Sequence, residues 1–138
     1  MKSLQESGDR DRITSVVILL AQDFCKSRNM NHRKGGLIGL AAASIGVAPD
    51  IELYLHLLVA PVLECFDDQD ARVCYYACES MYNITKVARN CVVKYFNQIF
   101  DGFCKLFGHL DVDVKNGTLQ FILFSHSLFI FGFYAHIM

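Results

Sequence analysis

Pro61-Val62-Leu63-Glu64-Cys65-Phe66-Asp67-Asp68-Gln69-Asp70-Ala71-Arg72-Val73-Cys74-Tyr75-Tyr76-Ala77 is the stretch that decides the fold. It reads as the end of an apolar helix, an acidic turn, a basic residue and the start of another helix. The same grammar occurs around Arg33 and again around Lys115. These basic positions lie 39 residues before Arg72 and 43 residues after it. Working outward, Ile51, Leu55, Leu58, Val59, Val62, Leu63 and Phe66 form one helical stripe ahead of the turn, interrupted by Pro61. A proline there removes one helical hydrogen bond and bends the helix. Val73, Tyr76, Ala77, Ser80, Ile84, Val87 and Ala88 mark the partner helix behind it.

A repeat of about 40–47 residues is the period of HEAT and armadillo arrays. No segment alternates with period two. The expectation is therefore an all-α chain, a HEAT/armadillo-like α-solenoid of about two and a half to three helical hairpins. Such arrays are usually binding surfaces. Upstream, Met1 to Asp11 reads as a frayed lead-in. Ile13, Val16, Val17, Leu20 and Phe24 recur at helical spacing, Lys26 to Asn31 reads as a loop, and a helix is expected from about His32 to Val47. That helix contains Gly35, Gly36 and Gly39, each costing about 1 kcal/mol relative to alanine. Close approach of a neighbouring helix is the expected reason. Downstream, Val92, Phe96, Ile99, Phe100, Phe103 and Leu106 mark the next first helix, and Val114 to Gly117 opens a helix that the sequence does not properly finish.

Composition narrows the function. The chain has 138 residues, enough for one domain with an ordinary core, and Lys+Arg 13 against Asp+Glu 14 leaves a net charge of -1. That balance speaks against a nucleic-acid partner. Six cysteines without a signal peptide, most of them inside apolar helical patterns, are expected to be reduced structural thiols of a cytosolic protein. No Cys-x-x-Cys or His-Glu-x-x-His pair occurs, so neither a metal nor another cofactor is expected. His56 and His109 have no catalytic partner nearby in sequence, and no enzymatic activity is expected.

Several consecutive blocks resemble one family. They are Arg33-Lys34-Gly35-Gly36-Leu37-Ile38-Gly39-Leu40-Ala41-Ala42, then Tyr75-Tyr76-Ala77-Cys78-Glu79 with Tyr82-Asn83-Ile84 and Lys86-Val87-Ala88-Arg89. Phe96-Asn97, Phe100-Asp101-Gly102 and Asp113-Val114-Lys115 continue the resemblance. The family is the Vac-type vacuole-morphology protein, the HEAT-repeat scaffold of the PIKfyve (Fab-type) phosphoinositide kinase complex. The resemblance covers roughly residues 13 to 117. It implies a non-catalytic scaffold or regulatory subunit on endosomes, lysosomes or vacuoles. Its partners would be the kinase that makes phosphatidylinositol bisphosphate and the Fig-type Sac phosphatase that removes it. The N-terminal repeats of the family are associated with the kinase. The C-terminal part, which carries self-assembly and phosphatase contacts, has no counterpart here. The chain is then expected to be cytoplasmic and peripheral on those membranes through the complex.

Candidate contact residues follow. His32, Arg33 and Lys34 form a basic cluster that could touch the kinase or an anionic membrane, the favoured reading being a solvated helix start. Arg33→Glu with Lys34→Glu is expected to weaken association without unfolding the array. Tyr75 and Tyr76 are candidate aromatic contacts. Asp70, Arg72, Asp113 and Lys115 are expected to form a structural ladder between repeats, with the aspartates capping helix starts. Residues 1–117 are thus assigned to the repeats and 118–138 to an apolar tail outside the family pattern. That tail has 21 residues, five phenylalanines and no Asp, Glu, Lys or Arg. It has the length of a bilayer span, so a membrane-anchored helical adaptor is the alternative to a tail that folds back on the last hairpin.

Overall fold

A computed structural model describes the backbone of residues 2–109 and 111–137 and the side chains of residues 6–109 and 111–124. Six α-helices pair into three antiparallel-type hairpins, and no strand occurs among the described residues. Helix α1 (Lys2–Leu19) continues through a π-helical turn (Leu20–Phe24) and pairs with α2 (Met30–Gly46). Helix α3 (Ile51–Glu64) pairs with α4 (Ala71–Ala88), and α5 (Phe96–Phe107) with α6 (Val112–Ile137). The second helices stack in order, α2 on α4 and α4 on α6, and α3 packs on both α1 and α4. This is the expected α-solenoid, with three hairpins.

Burial of the helical stripes explains the stack. Helices in proteins take most of their stability from packing an apolar face rather than from intrinsic propensity. Leu37 and Leu40 of α2, Leu55, Leu58 and Val62 of α3, Val73, Ala77, Met81 and Ile84 of α4, and Ile99 and Phe103 of α5 merge into one core. Helix α6 adds Val114 and Phe121 to it. Phe103 is the hub of the last hairpin. Its ring stacks on Phe121 at 3.8 Å and meets the edge of Phe66 at 4.9 Å. Ser80 Oγ donates to the Leu37 carbonyl at 2.9 Å and ties α4 to α2 inside the core.

Two local expectations need correction. Residues 2–11 are helical, forming the start of α1, because helix α1 continues back through polar residues whose side chains from Glu6 onward face solvent. Helix α2 starts at Met30, two residues early, because Asn29 caps it. Helix α6, whose finish the sequence leaves open, runs on through Ile137.

The glycines of α2 are explained in part. A Cβ at Gly36 would lie 2.8 Å from Cys25 Sγ and 2.9 Å from both the Cys25 nitrogen and Phe24 Cβ. One at Gly39 would meet Leu20 at 2.8 Å, whereas one at Gly35 meets nothing within 4 Å. Gly36 therefore admits the preceding helix end, and backbone atoms there cannot yield. Gly36→Ala should destabilise the chain by about 2 kcal/mol. Gly35→Ala should be neutral or stabilising. Paired thermal melts of the two variants check the contrast.

Helix α4 ends on a strained residue. Arg89 has φ 49° and ψ -120°, a left-handed conformation that costs a non-glycine residue about 1–3 kcal/mol. Its N–H still caps the Thr85 carbonyl. Arg89→Gly should raise stability by about 1 kcal/mol, read as a higher urea midpoint at unchanged slope. A drop in stability would mean that the arginine side chain holds the turn.

Candidate functional site

The turns that join the two helices within each hairpin repeat one capping pattern. Asn29, Asp70 and Asp111 cap α2, α4 and α6, and each stands 41 residues after the last (29 to 70, 70 to 111). Asn29 accepts from the Asn31 N–H at 2.9 Å. Asp70 accepts from Arg72 and Val73 at 2.9 and 3.2 Å, and Asp111 from Asp113 and Val114 at 2.9 and 3.2 Å. Two residues before each cap, a second acceptor holds the cap's own N–H. It is Ser27 Oγ at 3.2 Å, Asp68 Oδ1 at 2.9 Å and His109 Nδ1 at 3.1 Å. Each turn is thus a two-step staircase that satisfies helix N–H groups left open by the fold.

This register places the candidate ladder residues. Asp70 is a cap, as the sequence suggests. The capping expected of Asp113 falls instead to Asp111, two residues earlier, and Asp113 sits in the first turn of α6. Position 33 corresponds to 74 and 115, not to 72. Arg72 and Lys115 therefore occupy different places in their repeats, and among the described residues no ion pair joins either to Asp70 or Asp113.

Of the ion pairs between different hairpins among the described residues, the least exposed is Arg33 to Asp68. Arg33 Nε and Nη2 donate to the two Asp68 oxygens at 2.7 and 3.0 Å, a bidentate fork. Nη1 donates to the carbonyls of Ser27 and Arg28 at 2.9 and 3.1 Å. The Asp68 carboxylate holds the Arg33 guanidinium above its already high range. In the next repeat Cys74 takes the place of Arg33. Its thiol donates to the Asp68 carbonyl at 3.2 Å, as Nη1 of Arg33 does to Ser27. Burial pushes the Cys74 thiol up to about 11, and burial pushes Cys78 up to about 12. All six cysteines are free thiols.

The structure separates the candidate contact residues by role. Arg33 is engaged within the stack, so Arg33→Glu would set a carboxylate against Asp68 and disturb the fold. The basic cluster is better represented by His32, which is exposed, and Lys34, which is half-buried. Tyr75 and Tyr76 are both half-buried and touch edge to face at 5.6 Å. The Glu79 carboxylate and burial push the Tyr75 phenol up. Tyr82, on the same helix, carries the Lys86 ammonium 5.0 Å from its ring centre and packs on Phe124 at 5.1 Å.

Small-molecule chemistry finds little here. A shallow groove of about 180 Å³ between α1 and α3 is lined by Ile18, Gln22, Lys26, His56, Pro61 and Glu64. It is smaller than the usual ligand pocket of about 300–1,000 Å³, and the Lys26–Glu64 ion pair spans 3.7 Å there. No group of three or more His, Cys, Asp or Glu among the described residues is placed to hold a metal ion. No single helix among the described residues is long and apolar enough to cross a membrane. Of the expected tail, Thr118 and Phe121 are buried in the last hairpin. The side chains of residues 125–138 lie outside the described residues.

Stacked hairpins with laterally exposed faces define a helical-repeat protein. Comparison with known proteins makes the assignment specific. Residues 31–122 match the family described as Vacuolar 14 Fab1-binding region, and the chain belongs to that family. It is 49% identical over 118 residues to Protein VAC14 homolog of Arabidopsis thaliana, covering 86% of this chain and 16% of that protein. It is 49% identical over 120 residues to Protein VAC14 homolog of Schizosaccharomyces pombe, covering 86% and 15%. Vacuole morphology and inheritance protein 14 of Saccharomyces cerevisiae is 41% identical over 113 residues, covering 80% and 13%. The chain thus spans about a seventh of the length of these relatives. No solved structure matches.

Proposed function

We propose that this chain is a non-catalytic kinase-holding arm of a vacuolar or endolysosomal scaffold. Its partner is a PIKfyve/Fab-type phosphoinositide kinase, and it supports phosphatidylinositol bisphosphate synthesis and turnover through protein contacts alone. The observation that carries this reading is the Fab1-binding family match, which begins in α2 and ends in α6. The fold suits the role, because a stack of hairpins offers long lateral faces rather than a pocket. His32, Lys34, Tyr75 and Tyr76 are the residues we assign to kinase contact, with Asp70, Arg72, Asp113 and Lys115 serving the repeats. We place residues 1–117 as the repeat unit and 118–138 as a tail whose first turns complete the third hairpin. Attachment to the vacuole or endosome membrane is then peripheral, through the complex.

Co-precipitation of the kinase and the Sac phosphatase with the whole chain tests this reading. Recovery of the kinase without the phosphatase is the expected result. His32→Glu with Lys34→Glu, which spares Arg33, should reduce that recovery in a folded chain. Recovery of neither enzyme by a helical, folded chain would overturn the proposal.

A further inference from the structure

We propose that Cys25 and Cys65 form a peroxide-operated clamp, which closes as a disulfide and locks the first hairpin to the second. Cys25 opens the turn between the π-helical end of the first helix and α2, and Cys65 follows the last residue of α3. The two stand 40 positions apart in different hairpins, and each is 5% exposed. The Cys65 sulfur lies 3.9 Å from the Cys25 carbonyl oxygen, and the two thiols hydrogen-bond to each other. Gly36 leaves room for the pair, since a Cβ there would lie 2.8 Å from Cys25 Sγ.

The repeat register sets this contact apart from ordinary packing. Moved along by 41 positions, Cys25 and Cys65 become Phe66 and Leu106, both buried apolar side chains. Hydrocarbon fills these places at the second junction, and thiols stand there at the first. Cys74 is not a rival partner, because its thiol donates to the carbonyls of Phe66 and Asp68 at 3.5 and 3.2 Å.

The two sulfurs divide the chemistry. The hydrogen bond from Cys65 holds the Cys25 thiol below its ordinary range, against the opposing effect of burial. That same bond, and then burial, hold the Cys65 thiol above it. Cys25 is therefore the attacking thiolate and Cys65 the resolving thiol. Cys25 Sγ attacks one oxygen of hydrogen peroxide and the O–O bond breaks. Cys25 becomes a sulfenic acid, and the departing hydroxide takes up the proton that the Cys25 thiol released, leaving as water. Cys65 Sγ then attacks Cys25 Sγ and the S–O bond breaks. The hydroxide leaves with the Cys65 proton as a second water. Two thiols are thus oxidised to one disulfide while one peroxide is reduced to two waters. In a reducing compartment thiol exchange reopens such a bond, so it acts as a switch and not as a permanent staple. Closed, it adds a covalent tie between the two hairpins that Arg33 and Asp68 already join.

Peptide mass spectrometry of the whole chain after brief hydrogen peroxide treatment, with the remaining thiols alkylated, is the test. The expected product is a cross-linked pair of the Cys25 and Cys65 peptides that dithiothreitol reverses. Cys104→Ser removes the exposed thiol that would otherwise join two chains. In that background the closed form should melt about 10 °C above the reduced form. Cys65→Ser should leave a Cys25 sulfenic acid that dimedone traps, whereas Cys25→Ser should leave Cys65 unoxidised. Circular dichroism confirms that both variants fold. Recovery of Cys25 and Cys65 as alkylated thiols from the folded, peroxide-treated wild-type chain would overturn the proposal. So would a sulfenic acid trapped on Cys65 in place of Cys25.

Discussion

Phe103→Ala should lower the stability of the chain by about 4 kcal/mol, the cost of removing a fully buried aromatic ring and leaving its cavity. Phe103 is wholly buried, stacks on Phe121 and meets Phe66 edge on. The same side chain thus joins α5 to α6 within its hairpin and to the end of α3 in the hairpin before. Neither neighbour can close the gap, because each ring is already held by its own helix. Urea unfolding followed by circular dichroism gives the loss as a lower midpoint. Phe100, on the same helix and 38% exposed, is the control and should cost under about 1 kcal/mol when truncated. A small loss at Phe103 would mean that the third hairpin is not part of one cooperative unit.

Arg33→Glu should cost about 3 kcal/mol. The substitution removes a bidentate pair and two bonds to turn carbonyls, and it places a second carboxylate beside Asp68. Removing one partner of a fully buried pair costs about 3–5 kcal/mol. The Arg33 and Asp68 side chains are 18% and 10% exposed, so the lower end applies. Arg33→Lys keeps the charge and loses the fork, and should cost about half as much. Equal losses for the two variants would show that charge contributes nothing and that packing of the long side chain holds the turn. Both effects are of stability, so kinase recovery from an Arg33 variant has to be read beside its melt.

The helical stripes were legible in the sequence because each keeps its apolar spacing over several turns. Pro61 was legible as an interruption within a stripe, and it lies buried inside α3. Of the three α2 glycines read as close-approach positions, Gly36 and Gly39 fit and Gly35 does not. The register was misread because the repeats were aligned on positive charge. The feature that recurs is a hydrogen-bond acceptor, and nature filled it with serine, aspartate and histidine at 27, 68 and 109, then asparagine, aspartate and aspartate at 29, 70 and 111. These residues share a function in the turn and not a charge, so alignment by charge shifted Arg72 by two positions. The bridging pair of Arg33 and Asp68 joins residues 35 apart and no local pattern announces it. Helix α1 was missed at its start because its first turns are polar. The candidate contact residues were read from a resemblance. What the structure adds is that Arg33 belongs to the frame, while His32 is exposed and Lys34 half-buried.

The turn staircase has a consequence for how the chain reaches this structure. Every step of it closes over two or three residues, and the inter-repeat bonds of Arg33 and Ser80 reach back or forward by only 35 and 43. A chain whose contacts never stray beyond the adjacent unit has little loop-closure entropy to overcome before contacts reward it. Folding can then nucleate at any of the three turns and spread in either direction. Weakening one turn should redirect the route through another more than it slows the whole, so the folding rate should tolerate a damaged turn better than the final stability does.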